Sequence, residues 1–182
     1  METSFYTEDE LAGLGLKAYG KNVRISRNAK IYSANQISIG DNVRIDDFCL
    51  LSGTISIGSN IHIAAYSALY GGGGITMEDN SGLSPRCTLI SATDDFSGDY
   101  LVGACVDDSL RNVIKGEILI KKYAQIGSGT TILPNVVINE GVAVGAMSLV
   151  KHNLPEWSIC YGTPAKKQKD RSKKLLKLIC KA

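Results

Sequence analysis

Fifteen apolar residues of this 182-residue chain fall on a six-residue grid. They run Ile39, Ile45, Leu51, Ile57, Ile63 and Leu69, slip by two residues, and resume at Met77, Leu83 and Leu89. Past a longer interruption the grid returns at Ile120, Ile126, Ile132, Ile138, Val144 and Val150. A period of six is neither the 3.6 of an amphipathic helix nor the 2 of a half-buried strand. It predicts a parallel β-solenoid in which each hexapeptide makes one flat side and turns a corner. The fourth residue after many grid positions is small or β-branched: Val43, Cys49, Ile61, Ser67, Cys87, Ala124, Thr130, Val136, Val142 and Ser148. One large and one small inward position per side suit a narrow prism. Glycine follows the grid at Gly40, Gly58, Gly127 and Gly145, where a corner can adopt positive φ at low cost.

Three hexapeptides make one turn, so residues 37–54, 55–74, 75–92, 118–135 and 136–153 read as five coils. A less regular coil over 19–36 carries Val23, Ile25 and Ile31 out of phase. Six coils stacked at about 4.8 Å give an all-β prism about 29 Å tall. Thr7-Glu8-Asp9-Glu10 has the form of a capping box opening a short helix. The chain thus divides into an N-terminal helical cap (1–18), the β-helix (19–153) and a C-terminal segment (154–182).

Two features interrupt the prism. Tyr70-Gly71-Gly72-Gly73-Gly74 adds two residues at a corner; such glycines suit either a tight corner or a phosphate-cradling nest, and the corner is the better reading. The other interruption, 93–117, is a loop holding five Asp with Tyr100, Arg111 and Asn112, and an excursion of that length in a compact domain points to function.

Composition adds constraints. No apolar run approaches the ~20 residues of a membrane span, and the N-terminus lacks a signal-peptide pattern. The five cysteines show no metal-ligand spacing; Cys49 and Cys87 fall on the small inward row and read as core thiols, in keeping with a reducing cytoplasm. The net charge of +2 is uneven: Lys166–Lys181 holds eight Lys or Arg against Asp170 alone, leaving 12 bases against 17 acids elsewhere. Leu175, Leu176, Leu178 and Ile179 interleave with lysines there, which reads as a basic helix. No stacking aromatics accompany these lysines, which disfavours nucleic acid.

A hexapeptide prism, one long loop and Gly162-Thr163-Pro164-Ala165-Lys166 before the basic tail together resemble the left-handed β-helix acyltransferases. Within them, RIDDFCLLSG (44–53), HIAAYSALYGG (62–72), SATDDFSGDYL (91–101) and AVGAMSLV (143–150) resemble the N-acyltransferases of dTDP-4-amino-4,6-dideoxy sugars in viosamine- and anthrose-type pathways. The resemblance implies a left-handed coil, a homotrimer, and acyl-CoA in the groove between neighbouring prisms. It also implies a nucleotide-sugar acceptor destined for surface polysaccharide. Acetyl-CoA or another acyl-CoA would be co-substrate, without a metal.

Related sugar acetyltransferases place a histidine at the start of the long loop as base for a hydroxyl. Here the stretch reads Ala92-Thr93-Asp94-Asp95. A hydroxyl needs a base near pKa 7, for which a carboxylate near about 4 is poorly matched. An amine needs only to be held, aimed and relieved of a proton. Asp94 is therefore the candidate catalytic residue; the alternative is that both aspartates cap a turn. Candidate substrate contacts are Ser84, Arg86, Asp95, Tyr100, Arg111, Asn112 and His62. By resemblance, Gly127, Gly145 and Ala146 line the CoA groove, Lys151, Lys166, Lys167 and Arg171 meet its phosphates, and Thr163 and Pro164 its adenine. Two rival readings stay open: a sugar O-acetyltransferase using His62, and a non-catalytic scaffold.

Overall fold

In the computed structural model, which describes residues 4–179, the chain winds into a three-sided parallel β-coil. The first side stacks Ile37–Ile39, Ile55–Ile57, Ile75–Met77, Ile118–Ile120 and Val137–Ile138. The second stacks Arg24–Ile25, Val43–Ile45, Ile61–Ile63, Gly82–Leu83, Gln125–Ile126 and Ala143–Val144. The third stacks Lys30–Tyr32, Leu50–Ser52, Ala68–Tyr70, Thr88–Ile90, Thr131–Ile132 and Leu149–Val150. All fifteen grid residues are buried, none exposing more than 4% of its surface, and the small inward row is buried with them. Each level is closed by apolar burial from three sides, worth about 1.5–3 kcal/mol per large side chain.

The solenoid has about seven levels rather than six. Ala18–Tyr19 adds a strand below Ser38–Ile39, and Ser158–Gly162 stacks on Ala143–Val144 above. The first coil is offset from the grid by two residues, as expected, but is regular in itself. Tyr19, Ile25 and Ile31 pair with Ile39, Ile45 and Leu51, so the grid continues at six-residue spacing and only the step from Ile31 to Ile39 is longer. The extra residues form a short 3-10 turn, Ala34–Gln36, at the corner between third and first sides. Gly71–Gly74 and the long loop arise at that same corner. All three insertions therefore leave one edge of the prism.

The glycines expected to supply positive φ serve a different purpose. Left-handed backbone falls instead on Asn22, Asn42, Asn60 and Asn80 at the first corner, with φ of 54°, 55°, 59° and 59°. Asparagine is one of the few residues that tolerates this region. Its side chains also stack: Asn22 Nδ2 donates to Asn42 Oδ1 at 3.0 Å, and Asn42 Nδ2 to Asn60 Oδ1 at 3.1 Å. Gly40 is required by close approach, since a Cβ there would lie 2.7 Å from the carbonyl carbon of Gly58. The corner glycines hold too: a Cβ on Gly73 would meet the Ser91 carbonyl oxygen at 2.2 Å, and the strand Ala68–Met77 runs through all four without a break.

The N-terminal helix, Glu8–Ala12, starts at the expected capping box on Thr7 and Glu10 and buries Leu11. The expected basic helix is corrected. Ala165–Asp170 is a strand, folded back antiparallel on Ser158–Gly162, and only Leu176–Ile179 is helical. A solenoid's last strand presents an open edge, and a lysine-rich antiparallel strand covers it without inviting further pairing. Lys181, the last cation of the tail, lies outside the described residues. No helix among the described residues is long and apolar enough to cross a membrane.

Because Gly40 is wedged between backbones, Gly40→Ala should destabilise the protein by about 1–3 kcal/mol, lowering Tm by about 2–4 °C per kcal/mol. Asn42→Gly keeps the left-handed corner and should cost less. Thermal unfolding of the two variants side by side checks this, and a wild-type Tm for Gly40→Ala would refute it.

Candidate active site

The second side carries an open cleft of about 470 Å³ whose lining includes Asp46, Asn60, His62, Gly82, Ser84 and Gln125. Outward residues here stack in columns. One runs Arg24, Arg44, His62, Gly82, Gln125 and Ala143 through the strand registers. Another, one place after the grid, runs Ser26, Asp46, Ala64 and Ser84. The hollow forms where these columns carry Gly82 and Ala64, which fill little of the space around them. His62 and Ser84, both expected from sequence, face this one cleft. Ser84 is half-buried, and its hydroxyl has no protein partner among the described residues.

Asp46 organises the cleft and was not anticipated. Its Oδ2 lies 2.7 Å from His62 Nε2, and its Oδ1 accepts from Arg44 Nε at 2.6 Å. Burial pushes the Asp46 carboxyl up, but the bonds from His62 and Arg44 outweigh it and hold the group below its ordinary value. The imidazole is thereby oriented, with Nδ1 left for a ligand. The available signal was position: Asp46 directly follows grid residue Ile45, as Ser84 follows Leu83.

The long loop leaves and rejoins the prism as a two-stranded ribbon, Ala92–Asp94 against Val113–Lys115. At its neck, Asp94 Oδ1 accepts from Arg111 Nη2 at 2.9 Å and Nε at 3.2 Å, while Oδ2 takes only the Gly103 amide at 3.2 Å. Both side chains are mostly buried, 18% and 15% exposed, so the pair is a specific structural tie. Its second oxygen keeps acceptor capacity for a positive or proton-bearing partner. Arg111 also reaches Asp108 at 3.2 Å, which leaves it little reach for a phosphate. Asp95 anchors the ribbon: Asn112 Nδ2 and the Ser97 amide each donate to it at 2.8 Å. Tyr100 is exposed beside Leu101 and Leu110 in a shallow hollow.

The structure separates other candidates. Arg86 stands on the second corner, its guanidinium 5.8 Å from the Tyr66 ring, which stacks on Phe48 at 5.0 Å. Gly127 and Gly145 are tight contacts, with would-be Cβ atoms 2.6 Å from Ala146 N and 2.8 Å from Tyr161 Cβ. Thr163-Pro164, a cis peptide, forms the tip of the terminal hairpin; Lys166 and Lys167 follow on its second strand and Lys151 is exposed. Lys167 is paired with Asp170 at 2.6 Å. Arg171, expected on a CoA phosphate, turns inward: Nη1 donates to the carbonyls of Tyr123 at 2.9 Å and Gly141 at 3.0 Å. Those carbonyls converge at left-handed corners, and a guanidinium satisfies several at once. Among the described residues no group of three His, Cys, Asp or Glu could hold a metal.

The cleft and the loop's polar neck occupy different parts of one prism, and no loop residue lines the cleft. The coiled hexapeptide prism is the fold of the β-helix acyltransferases. The chain matches no family model. It is 41% identical over 178 residues to the dTDP-4-amino-4,6-dideoxy-D-glucose acyltransferase of Escherichia coli, covering 96% of this chain and 93% of the relative. It superposes on AntD, an N-acyltransferase from Bacillus cereus, with a TM-score of 0.97 and 50% identity over 99% of this chain and 97% of AntD. AntD has been solved as an S84A variant with dTDP-4-amino-4,6-dideoxyglucose and coenzyme A, as D94N and D94A variants with dTDP and coenzyme A, and with dTDP and 3-hydroxybutyryl-CoA. This chain belongs to that family of nucleotide-linked amino-sugar acyltransferases.

If Arg111 ties the loop to the prism through Asp94, Arg111→Met should make residues 95–110 several-fold more sensitive to limited proteolysis. Stability of the stacked coils should change little. Unchanged loop cleavage would show that the ribbon alone holds the loop.

Proposed function

We propose that this enzyme transfers an acyl group from acyl-CoA to the 4-amino group of dTDP-4-amino-4,6-dideoxyglucose, in the cytoplasm, for surface polysaccharide. The carrying observation is Asp94: a carboxylate fixed by Arg111 on one oxygen and, beyond the Gly103 amide, keeping acceptor capacity on the other, at the place where hydroxyl acetylation calls for histidine. The neutral amine nitrogen attacks the thioester carbonyl, a C–N bond forms, and the oxyanion is held by backbone N–H groups. The C–S bond then breaks and CoA leaves as thiolate, while Asp94 Oδ2 positions the amine, accepts its proton and passes it to the departing sulfur, giving the thiol. AntD carries Ser and Asp at its own positions 84 and 94, the residue types found here at Ser84 and Asp94, which supports a role for both.

The coil is left-handed and the assembly a trimer whose sites lie between neighbours. Two observations support the shared site. The cleft with His62 and Ser84 lacks any loop residue in its own chain, and the loop exposes Phe96, Leu101 and Leu110 at 77%, 55% and 52%, apolar surface suited to a second prism. Acyl-CoA lies along Gly127, Gly145 and Ala146, its phosphates near Lys151, Lys166 and Lys167 and its adenine near Thr163 and Pro164.

On one dTDP-amino sugar, Asp94→Asn should lower kcat/KM by about 10²-fold or more, and His62→Asn less. If His62→Asn abolishes turnover while Asp94→Asn stays near wild type, an O-acyltransferase mechanism replaces this one. Failure of the wild type to bind CoA would favour the scaffold. In sedimentation, a fully active monomer would refute the shared site.

A further inference from the structure

We propose that the outward column Arg24–Arg44, directly below His62, is the seat of the substrate's diphosphate, and that Asp46 positions it. The inference rests on the nucleotide-sugar reading above and adds where, and in which direction, that substrate lies.

The two arginines belong to adjacent strands, with Arg24 in register with Arg44 and Arg44 with His62. Between and beside them lies a hollow of about 330 Å³ lined by Asn22, Arg24, Asn42, Val43 and Arg44, with no acid among them. This hollow lies beside the His62–Ser84 cleft, and side chains of the two are bonded to each other. Asp46 bonds Arg44 from one side and His62 from the other, and Asn42 reaches Asn60, which lines the cleft. The two hollows are thus neighbours on the second side, tied by these hydrogen bonds.

Charge is distributed as a diphosphate requires. Asp46 takes only Nε of Arg44, and the Phe5 ring lies 5.3 Å from its guanidinium carbon. The pair of terminal nitrogens stays available for bidentate contact with phosphate. Arg24 is exposed and has no side-chain partner among the described residues. Neighbouring strands lie about 4.8 Å apart, which sets two guanidinium groups at a spacing suited to two linked phosphates. Of the other cations considered for the substrate or for CoA, Arg111 is bound to Asp94 and Asp108, Arg86 sits over Tyr66 at another edge, and Lys166 and Lys167 are on the terminal hairpin at the opposite end.

Length fits as well. From Ser84, on the Gly82–Leu83 strand, to Arg44 is two strand spacings, about 10 Å. One pyranose ring and its glycosidic oxygen separate a sugar amine from the first phosphate on that scale. A sugar whose amine reaches the Ser84 level would place its diphosphate at Arg44 and Arg24 and its nucleoside toward the first coils. Acyl-CoA would approach from the opposite end, so the two substrates meet head to head in the cleft.

The test is binding, measured by calorimetry on the intact protein with four probes: the dTDP-amino sugar, dTDP, thymidine and CoA. Arg24→Gln/Arg44→Gln should weaken the sugar nucleotide and dTDP by tenfold or more, as loss of charge-assisted bonds predicts. Thymidine and CoA should bind within twofold of wild type. Arg44→Lys, which keeps the charge and a donor for Asp46, should recover part of the loss. Should the double variant fail to fold, Arg24→Gln alone serves, because Arg24 holds no other side chain. If dTDP binds these variants as tightly as wild type, the diphosphate lies elsewhere and this inference falls while the transferase reading stands. If wild type binds no dTDP-amino sugar at all, both fall together.

Discussion

Stacking at a single strand spacing governs everything else in this molecule. Each coil lies about 4.8 Å above the last, and every residue sits over an equivalent one. A side chain is tolerated only if the column it joins tolerates it. Inside, that demand selects one large and one small residue per side, and a Cβ in the wrong place meets backbone, as at Gly40 and Gly73. At the first corner it selects asparagine, whose amides link in series while the backbone turns left-handed. The columns leave one corner free to grow. The turn at Ala34–Gln36, the four glycines and the long loop all emerge there, so the loop's position follows from where stacking can absorb extra chain.

The interior was legible because burial repeats every six residues, and every grid position is buried. The same rule explains what was missed. Outward residues obey the period in position but not in type, so Arg24, Arg44 and Asp46 have no hydrophobic signal to mark them. The first coil looked irregular because a two-residue insertion shifts the count, although Tyr19, Ile25 and Ile31 keep the spacing among themselves. In the tail, leucines between lysines suggested a helix, and the apolar spacing is real only from Leu175 onward. The segment before it pairs because an exposed sheet edge lies within reach, a tertiary fact no local pattern contains. Arg171 was misjudged similarly: its partners are carbonyls contributed by residues 30 and 48 positions away.

Asp94 is proposed by a different route, from what the loop lacks. A carboxylate where a histidine would serve a hydroxyl changes the nucleophile the site can handle. The structure adds that this carboxylate is divided between two tasks. One oxygen holds Arg111 and so the neck of the loop; the other keeps an acceptor position. A group that fixes its own geometry while leaving one lone pair exposed orients an incoming amine without costly rearrangement.

Columns also convert a one-dimensional stack into an ordered site. On the second side, successive levels carry arginine, arginine, histidine and then the small residues that open the cleft. A long, charged, linear substrate matches such a ruler better than a compact one, because each level can meet a different segment of it. Asp46 makes two of those levels act together, since a carboxylate shared by Arg44 and His62 transmits a displacement of either to the other. In the proposed reading, diphosphate placement and amine placement are parts of one array, and a fold that repeats can hold a substrate that does not.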